Sequence, residues 1–152
     1  NNEMDDFSAK RGGANIFGRV GGKQNAEQSN KRPLSSMTPT IILKDEKPVL
    51  ALGTPNGSRI INCVLQTTLN YLEYELPLYD SVATVRYHHQ WLPDEIRTEE
   101  AGLPSKTKQQ LTSIGHKINE KDFGCEVQAV AKEKKWLVGV SDPRGEGLAF
   151  GR

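Results

Sequence analysis

Hydrophobic positions along the chain fall into runs and stripes whose period changes. From Thr38, "TPTIILKDEKPVLALGT" sets two apolar runs, Ile41-Ile42-Leu43 and Val49-Leu50-Ala51-Leu52, around the charged turn Lys44-Asp45-Glu46-Lys47. That pattern predicts a hairpin. Continuous apolar runs suit strands buried on both faces. In "PNGSRIINCVLQTTLNYLEYE", apolar residues at 61, 64, 65, 69 and 72 keep helical spacing, and Pro77 lies just beyond. A second short helix is expected from Tyr79 to Val85, and "RYHHQW" and "DEIRTEE" read as extended. Residues 104–114, "PSKTKQQLTSI", predict an amphipathic helix with Pro104 in its first turn and Gly115 past its end. "CEVQAVAKE" and "KKWLVGVSD" read as a closing hairpin around Lys132 to Lys134. Strands, then helices, then strands make an α+β layer pattern with a sheet covered by helices.

Residues 8–32 break this regularity. The stretch holds five glycines, at 12, 13, 18, 21 and 22, and only a small apolar island, Ile16-Phe17 with Val20. A loop of this length in a compact domain is functional or disordered. Its glycines suit a lid, and a plain surface excursion fits equally well.

Composition narrows the class. The 152 residues suit about one domain, and 36% hydrophobic with 26% charged residues is a globular balance. A net charge of +1 gives no footprint for nucleic acid or a membrane surface. No apolar run approaches the roughly 18 residues of a membrane span, and no stretch of the sequence given reads as a signal peptide. The first residue is not Met, which predicts a processed product or a fragment. Cys63 and Cys125 can pair, but two buried free thiols are the expectation, since a free Cys behaves as a small hydrophobe.

Five stretches are candidates for chemistry. Glu3, Asp5 and Asp6 crowd the opening "NNEMDDFS". Such carboxylates can converge on a metal, an acid–base pair or a substrate ammonium, or form a solvated acidic turn. No His or Cys lies close by and calcium-loop spacing is missing, so no metal is expected. In "KRPLSSMTPT", Ser35 and Ser36 place two hydroxyls at the mouth of a strand. In "GTPNGSR", a strand enters a turn and then a helix, which leaves backbone N–H groups at Asn56 and Gly57 for a carboxylate or an oxyanion. An ordinary helix start capped by Ser58 or Asn56 fits the same residues. His88 and His89 are adjacent on a strand and point to opposite faces, so a structural role is expected. Asp142 and Arg144 in "SDPRGEG" read as a structural pair.

Together, "NNEMDDF", "KRPLSSMTPTI", "GSRII", "LQTTLNYLEYELPL", "RYHHQWLPDEIR" and "SDPRGEGLAFG" resemble the small subunit of gamma-glutamyltranspeptidases, in order and over nearly all of residues 1–152. The resemblance implies part of the four-layer αββα sandwich of N-terminal nucleophile hydrolases, completed by another subunit or segment. It implies a precursor that cuts itself, freeing an N-terminal Thr nucleophile. That Thr attacks the γ-glutamyl amide of glutathione and related compounds, and the acyl group passes to water or to an acceptor amino acid or peptide. No cofactor is implied. The large subunit of the same precursor is the implied partner, and a periplasmic or secreted location follows from the resemblance alone.

Carried onto this chain, the resemblance gives the paired serines, Ser35 and Ser36, the substrate α-carboxylate. It gives Glu3 and Asp6 the α-ammonium. A zwitterionic head needs acceptors on one side and donors on the other. The family's Gly-Gly oxyanion pair falls on Asn56 and Gly57. Here the first glycine is replaced by Asn, which keeps an N–H and loses backbone freedom. Residues 8–32 become the lid, with Phe17 where many bacterial members carry Tyr, so closure must rest on packing. The Thr-Thr-His segment with the nucleophile has no counterpart in these 152 residues. The chain therefore reads as the C-terminal part of the small subunit, inactive alone. The other reading is a non-catalytic relative that binds γ-glutamyl compounds or serves as a structural partner.

Overall fold

The computed structural model describes residues 4–10, 12–100, 102–122 and 124–151. The predicted hairpin forms β1 (Thr40–Lys44) and β2 (Lys47–Gly53), paired antiparallel. Its turn residues Asp45 and Glu46 have φ of 51° and 59°, the left-handed backbone that fits a two-residue connection to strand twist. The closing hairpin is β6 (Gln128–Glu133) and β7 (Trp136–Ser141). β2 also pairs antiparallel with β6, giving the order β1-β2-β6-β7.

The register explains the core. Ile42, Leu50, Ala131 and Val138 form one row across this sheet. Thr40, Leu52, Ala129 and Val140 form another on the same face. Against that face lie α1 (Ile60–Leu72) and α2 (Leu78–Ala83), whose Ile60, Cys63, Val64, Leu78 and Val82 complete the core. Each fully buried Leu, Ile or Val contributes about 1.5–3 kcal/mol over leaving it in water.

Two expectations are corrected here. Continuous apolar runs suggested burial on both faces, yet Ile41 is 69% and Leu137 75% exposed. Among the described residues, helices cover one face of the sheet only. The inner stripe of α1 also differs from the apolar spacing. Ile60, Cys63, Val64 and Thr67 are buried, while Ile61, Leu65, Leu69 and Leu72 remain partly exposed. A Cys and a Thr in the inner stripe made it less visible to a hydrophobicity count than the outer one.

The free-thiol expectation is corrected too. Cys63 and Cys125 form a disulfide, with Cα atoms 6.6 Å apart and neither residue exposed. Their burial agrees with the sequence. Spacing along the chain carried no sign of the pairing, because packing of α1 beside the approach to β6 brings them together.

A smaller sheet holds β3 (Tyr87–His88), β4 (Ile96–Thr98) and β5 (Ile118–Glu120). β3 pairs antiparallel with β4, and β4 parallel with β5. β5 has no counterpart among the expected elements, since "HKINEK" offers a single apolar residue. Helix α3 (Ser105–Ser113) forms after Pro104 and stops before Gly115, which has φ of 101°. It buries no residue. Residues 8–32 are irregular among those described, with a 3-10 turn at Lys23–Asn25 and a bridge between Ala14 and Val20.

Candidate functional site

β2 ends at Gly53, and the chain turns through Thr54, Pro55, Asn56 and Gly57 into a 3-10 turn that runs on into α1. Asn56 has φ 107° and ψ 40°, and Gly57 has φ 51°. Two consecutive left-handed residues suit Asn and Gly better than bulky types. The N–H groups opening a helix have no partner inside it, and the macrodipole favours negative charge there. The expected side-chain cap does not form. Asn56 makes no capping bond, and the buried Ser58 hydroxyl donates to Gln90 Oε1 at 3.0 Å instead.

Phe17 lies directly on this turn. A Cβ added at Gly57 would sit 2.3 Å from the Phe17 ring. Glycine is therefore required at 57 both for φ and for this contact. The backbone of Phe17 is held as well: its carbonyl accepts from Gln90 Nε2 at 2.7 Å. Gln90 Nε2 also donates to Leu92 O at 2.9 Å, which fixes the amide with Oε1 toward Ser58 and His88.

His88 extends the chain. Its Nε2 lies 3.0 Å from Gln90 Oε1 and its Nδ1 2.9 Å from Asn62 Oδ1. Burial pushes its pKa below the ordinary 6.5, and nearby Arg59, Arg19 and His89 push the same way, against the bond to Gln90. A neutral imidazole with its proton on Nε2 donates to the fixed Gln90 oxygen, and its Nδ1, then an acceptor, requires the Asn62 amide to turn its Nδ2 toward the ring. His89 points elsewhere, to Asp94 at 3.2 Å, as the alternation of a strand requires. Arg59 borders a small cavity of about 200 Å³ with Phe17, His88, Gln90 and Arg97. Burial lowers its pKa, as does Arg97, against Asp122.

On the other side of residues 16–18 lies a larger cavity of about 540 Å³. Asp6 and Ser36 both line it, with Lys10, Asn25, Arg19 and Trp91. Asp6 belongs to a 3-10 turn, Met4–Asp6, whose last carbonyl accepts from Asn25 Nδ2 at 2.6 Å. Ser35 does not line this cavity; its Oγ accepts from Met37 N–H at 3.2 Å in a local turn. Glu3 lies outside the described residues. Asn56 and Gly57 do not line the cavity either, but Gln90 does, and it ties the cavity wall to the turn. An acidic group, a hydroxyl and basic groups around one volume can hold a small zwitterion.

Behind the turn sits a buried ion-pair cluster. Arg86 is 1% exposed and donates to Asp142 Oδ2 at 2.7 Å, to Cys125 O at 3.1 Å and to Val82 O. Asp142 also accepts from Val127 N–H and Arg144, the latter through its side chain at 3.0 Å. Burial alone would raise the Asp142 pKa; the bonds from Arg86, Arg144 and Val127 together hold it below its ordinary value. The expected Asp142–Arg144 pair is thus present, but sequence reasoning missed Arg86, Gln90, Asn62 and Asn25. Only Arg86 carried a signal, as a charge inside an otherwise structured stretch. Among the described residues, no group of three or more His, Cys, Asp or Glu could hold a metal ion.

Known proteins resemble this chain over nearly all of its length. The family model described as Gamma-glutamyltranspeptidase matches residues 1–151. The glutathione hydrolase proenzyme of Escherichia coli (strain K12) is 48% identical over 145 residues, covering 95% of this chain and 25% of that protein. The glutathione hydrolase proenzyme of Pseudomonas aeruginosa is 42% identical, covering 99% of this chain and 28% of that protein. This chain therefore spans about a quarter of the length of these relatives. The gamma-glutamyltranspeptidase of Pseudomonas nitroreducens complexed with L-DON superposes with a TM-score of 0.91 at 41% identity, covering 100% of this chain and 80% of that one. The fold is accordingly part of the αββα sandwich of N-terminal nucleophile hydrolases. The chain belongs to the gamma-glutamyltranspeptidase family.

Proposed function

We propose that these residues are the C-terminal part of the small subunit of a gamma-glutamyltransferase, also acting as a glutathione hydrolase. Residues 1–152 supply the amino-acid-head pocket and the oxyanion hole, and residues 8–32 are its lid. Asp6 and Glu3 bind the α-ammonium of the γ-glutamyl group; Ser36 donates to its α-carboxylate from the cavity wall, and Ser35 joins it after its hydroxyl turns from the local Met37 bond. The observation that most supports this reading is that Asp6 and Ser36, far apart in sequence, line one cavity.

The nucleophilic Thr comes from a preceding segment of the small subunit, freed when the precursor cleaves itself. Its hydroxyl attacks the γ-carbonyl and forms a tetrahedral oxyanion. The backbone N–H groups of Asn56 and Gly57 stabilise that charge. The C–N bond then breaks, the amine leaves with a proton, and a γ-glutamyl ester remains on the Thr. Water or the amine of an acceptor amino acid or peptide attacks the ester and restores the hydroxyl. Phe17 closes the lid by packing on Gly57. The large subunit of the precursor completes the sandwich. A periplasmic or secreted location suits a Cys63–Cys125 disulfide, since such bonds persist in oxidising compartments.

The test is Asp6→Ala in the full-length enzyme. A charge-assisted hydrogen bond is worth about 1.5–3 kcal/mol, so kcat/KM should fall about ten- to a hundredfold for substrates with a free α-ammonium. Substrates lacking that ammonium should lose little. Equal losses with both, or no loss with either, would overturn the assignment.

A further inference from the structure

We infer that the Cys63–Cys125 disulfide, with Gly124, is a brace that positions the Asn56–Gly57 turn for catalysis. The inference rests on the reading of that turn as the oxyanion hole and adds positioning residues to it. The segment 124–127 runs alongside the turn and is tied at each step. A Cβ added at Gly124 would lie 2.9 Å from the Asn56 side-chain nitrogen, so the Asn56 amide packs on bare backbone there. Cys125 is bonded to Cys63, in the first turns of α1 just beyond Gly57. Glu126 N–H donates at 2.9 Å to the Thr54 hydroxyl, which itself donates to Pro55 O at 3.0 Å. The brace therefore grips the turn before Asn56, at Asn56 and after Gly57.

The brace is itself immobilised. Arg86 donates to Cys125 O, and Val127 N–H donates to Asp142 at 2.8 Å. Both Cys125 and Val127 are fully buried. The disulfide closes a loop of 62 residues between α1 and this segment. Hydrogen bonds across it can open singly; the covalent link keeps the helix start and the segment in register. Oxyanion donors act only when held at about hydrogen-bond distance from the developing charge, and small displacements cost rate. A brace of this kind acts on kcat more than on substrate affinity, because the oxyanion exists only in the transition state and the intermediate.

The experiment uses the full-length enzyme and steady-state kinetics with a γ-glutamyl anilide. Cys63→Ala/Cys125→Ala should lower kcat by about tenfold or more, toward the roughly 10²–10³ expected for a lost oxyanion donor, with KM nearly unchanged. Val82→Ala truncates the same core away from the turn; at a comparable loss of Tm it should keep its kcat. Gly124→Ala keeps the disulfide, strains backbone at φ 72° and pushes on the Asn56 amide, so it too should lower kcat. Adding Asn56→Gly removes the clashing side chain and should restore the part of the loss that runs through Asn56, while the backbone strain at 124 stays; such a coupling is not produced by general destabilisation. If the disulfide variant fails to fold, the non-additivity of Gly124→Ala and Asn56→Gly in kcat decides. A kcat that ignores both changes, or an equal loss in Val82→Ala, overturns the brace while leaving the oxyanion reading intact. A native enzyme without γ-glutamyl turnover overturns that reading, and the brace with it.

Discussion

Asn56 stands in left-handed backbone, with φ 107°, and this changes how its role can be tested. Ala is strained at such a position, whereas Gly adopts it freely. Asn56→Gly is therefore the clean variant. If the residue acts through its backbone N–H, Asn56→Gly should change kcat by less than about tenfold, well short of the roughly hundredfold loss of a donor. A hundredfold fall with unchanged KM would mean that the amide side chain holds the oxyanion. His88 makes a second claim at this scale. Its folded pKa lies below the ordinary 6.5, so the unfolded chain binds the proton more readily. Stability should thus be full above about pH 6.5 and fall as pH drops from there toward the folded value. Urea unfolding at pH 7.5 and 5.5 checks this: His88→Gln should flatten the dependence, and an unchanged slope would remove His88 as its source. At this scale the sequence showed the Asn-Gly turn between a strand and a helix. It could not show that Gln90 joins Phe17, Ser58 and His88, because those partners come from three separate segments.

Helix α1 shows what elements add to residues. Its inner stripe passes through Cys63 and Thr67, its outer one through Ile61, Leu65, Leu69 and Leu72. Helical period was legible; the choice of inner face was not, since it depends on where the disulfide and the sheet anchor the helix. The hairpins were legible because turn chemistry and apolar runs are local. β5 was not, because its pairing with β4 comes from outside its own sequence. The link between α2 and the end of β7 rests on Arg86 and Asp142, both nearly fully buried. Removing one partner of such a pair leaves a charge without compensation and costs about 3–5 kcal/mol. Asp142→Ala should lower unfolding free energy by about that amount, measured by urea denaturation. A loss below about 1 kcal/mol, the range of exposed pairs, would show that Arg86 finds other acceptors.

The whole molecule has one finished face and one unfinished one. The inner rows of the four-stranded sheet meet α1 and α2, whereas the outer row, Ile41, Ala51, Val130 and Gly139, meets no helix or second sheet among the described residues. Trp136, Leu137, Leu148 and Phe150 stand beside it, each more than 60% exposed. The apolar runs of β1, β2 and β7 already signal that this second face needs a cover. They carry no sign of what the cover is; on the proposed reading it is another part of the sandwich. Water contact over such a surface is unfavourable at roughly 25 cal/mol per Å² of apolar area, and open apolar patches of this kind drive association. The 152-residue chain alone should therefore self-associate and bind a hydrophobic dye. On the proposed reading, in which the nucleophilic Thr comes from a preceding segment, it should also show no γ-glutamyl transfer. Coexpression with the rest of the precursor should abolish dye binding and restore turnover together, since both depend on the same completed sandwich. Light scattering, dye fluorescence and an anilide assay on the two preparations separate the outcomes. A monodisperse, dye-negative, active chain would overturn the subunit assignment, whereas an active complex that still binds dye would show that the outer face serves something other than the second sheet.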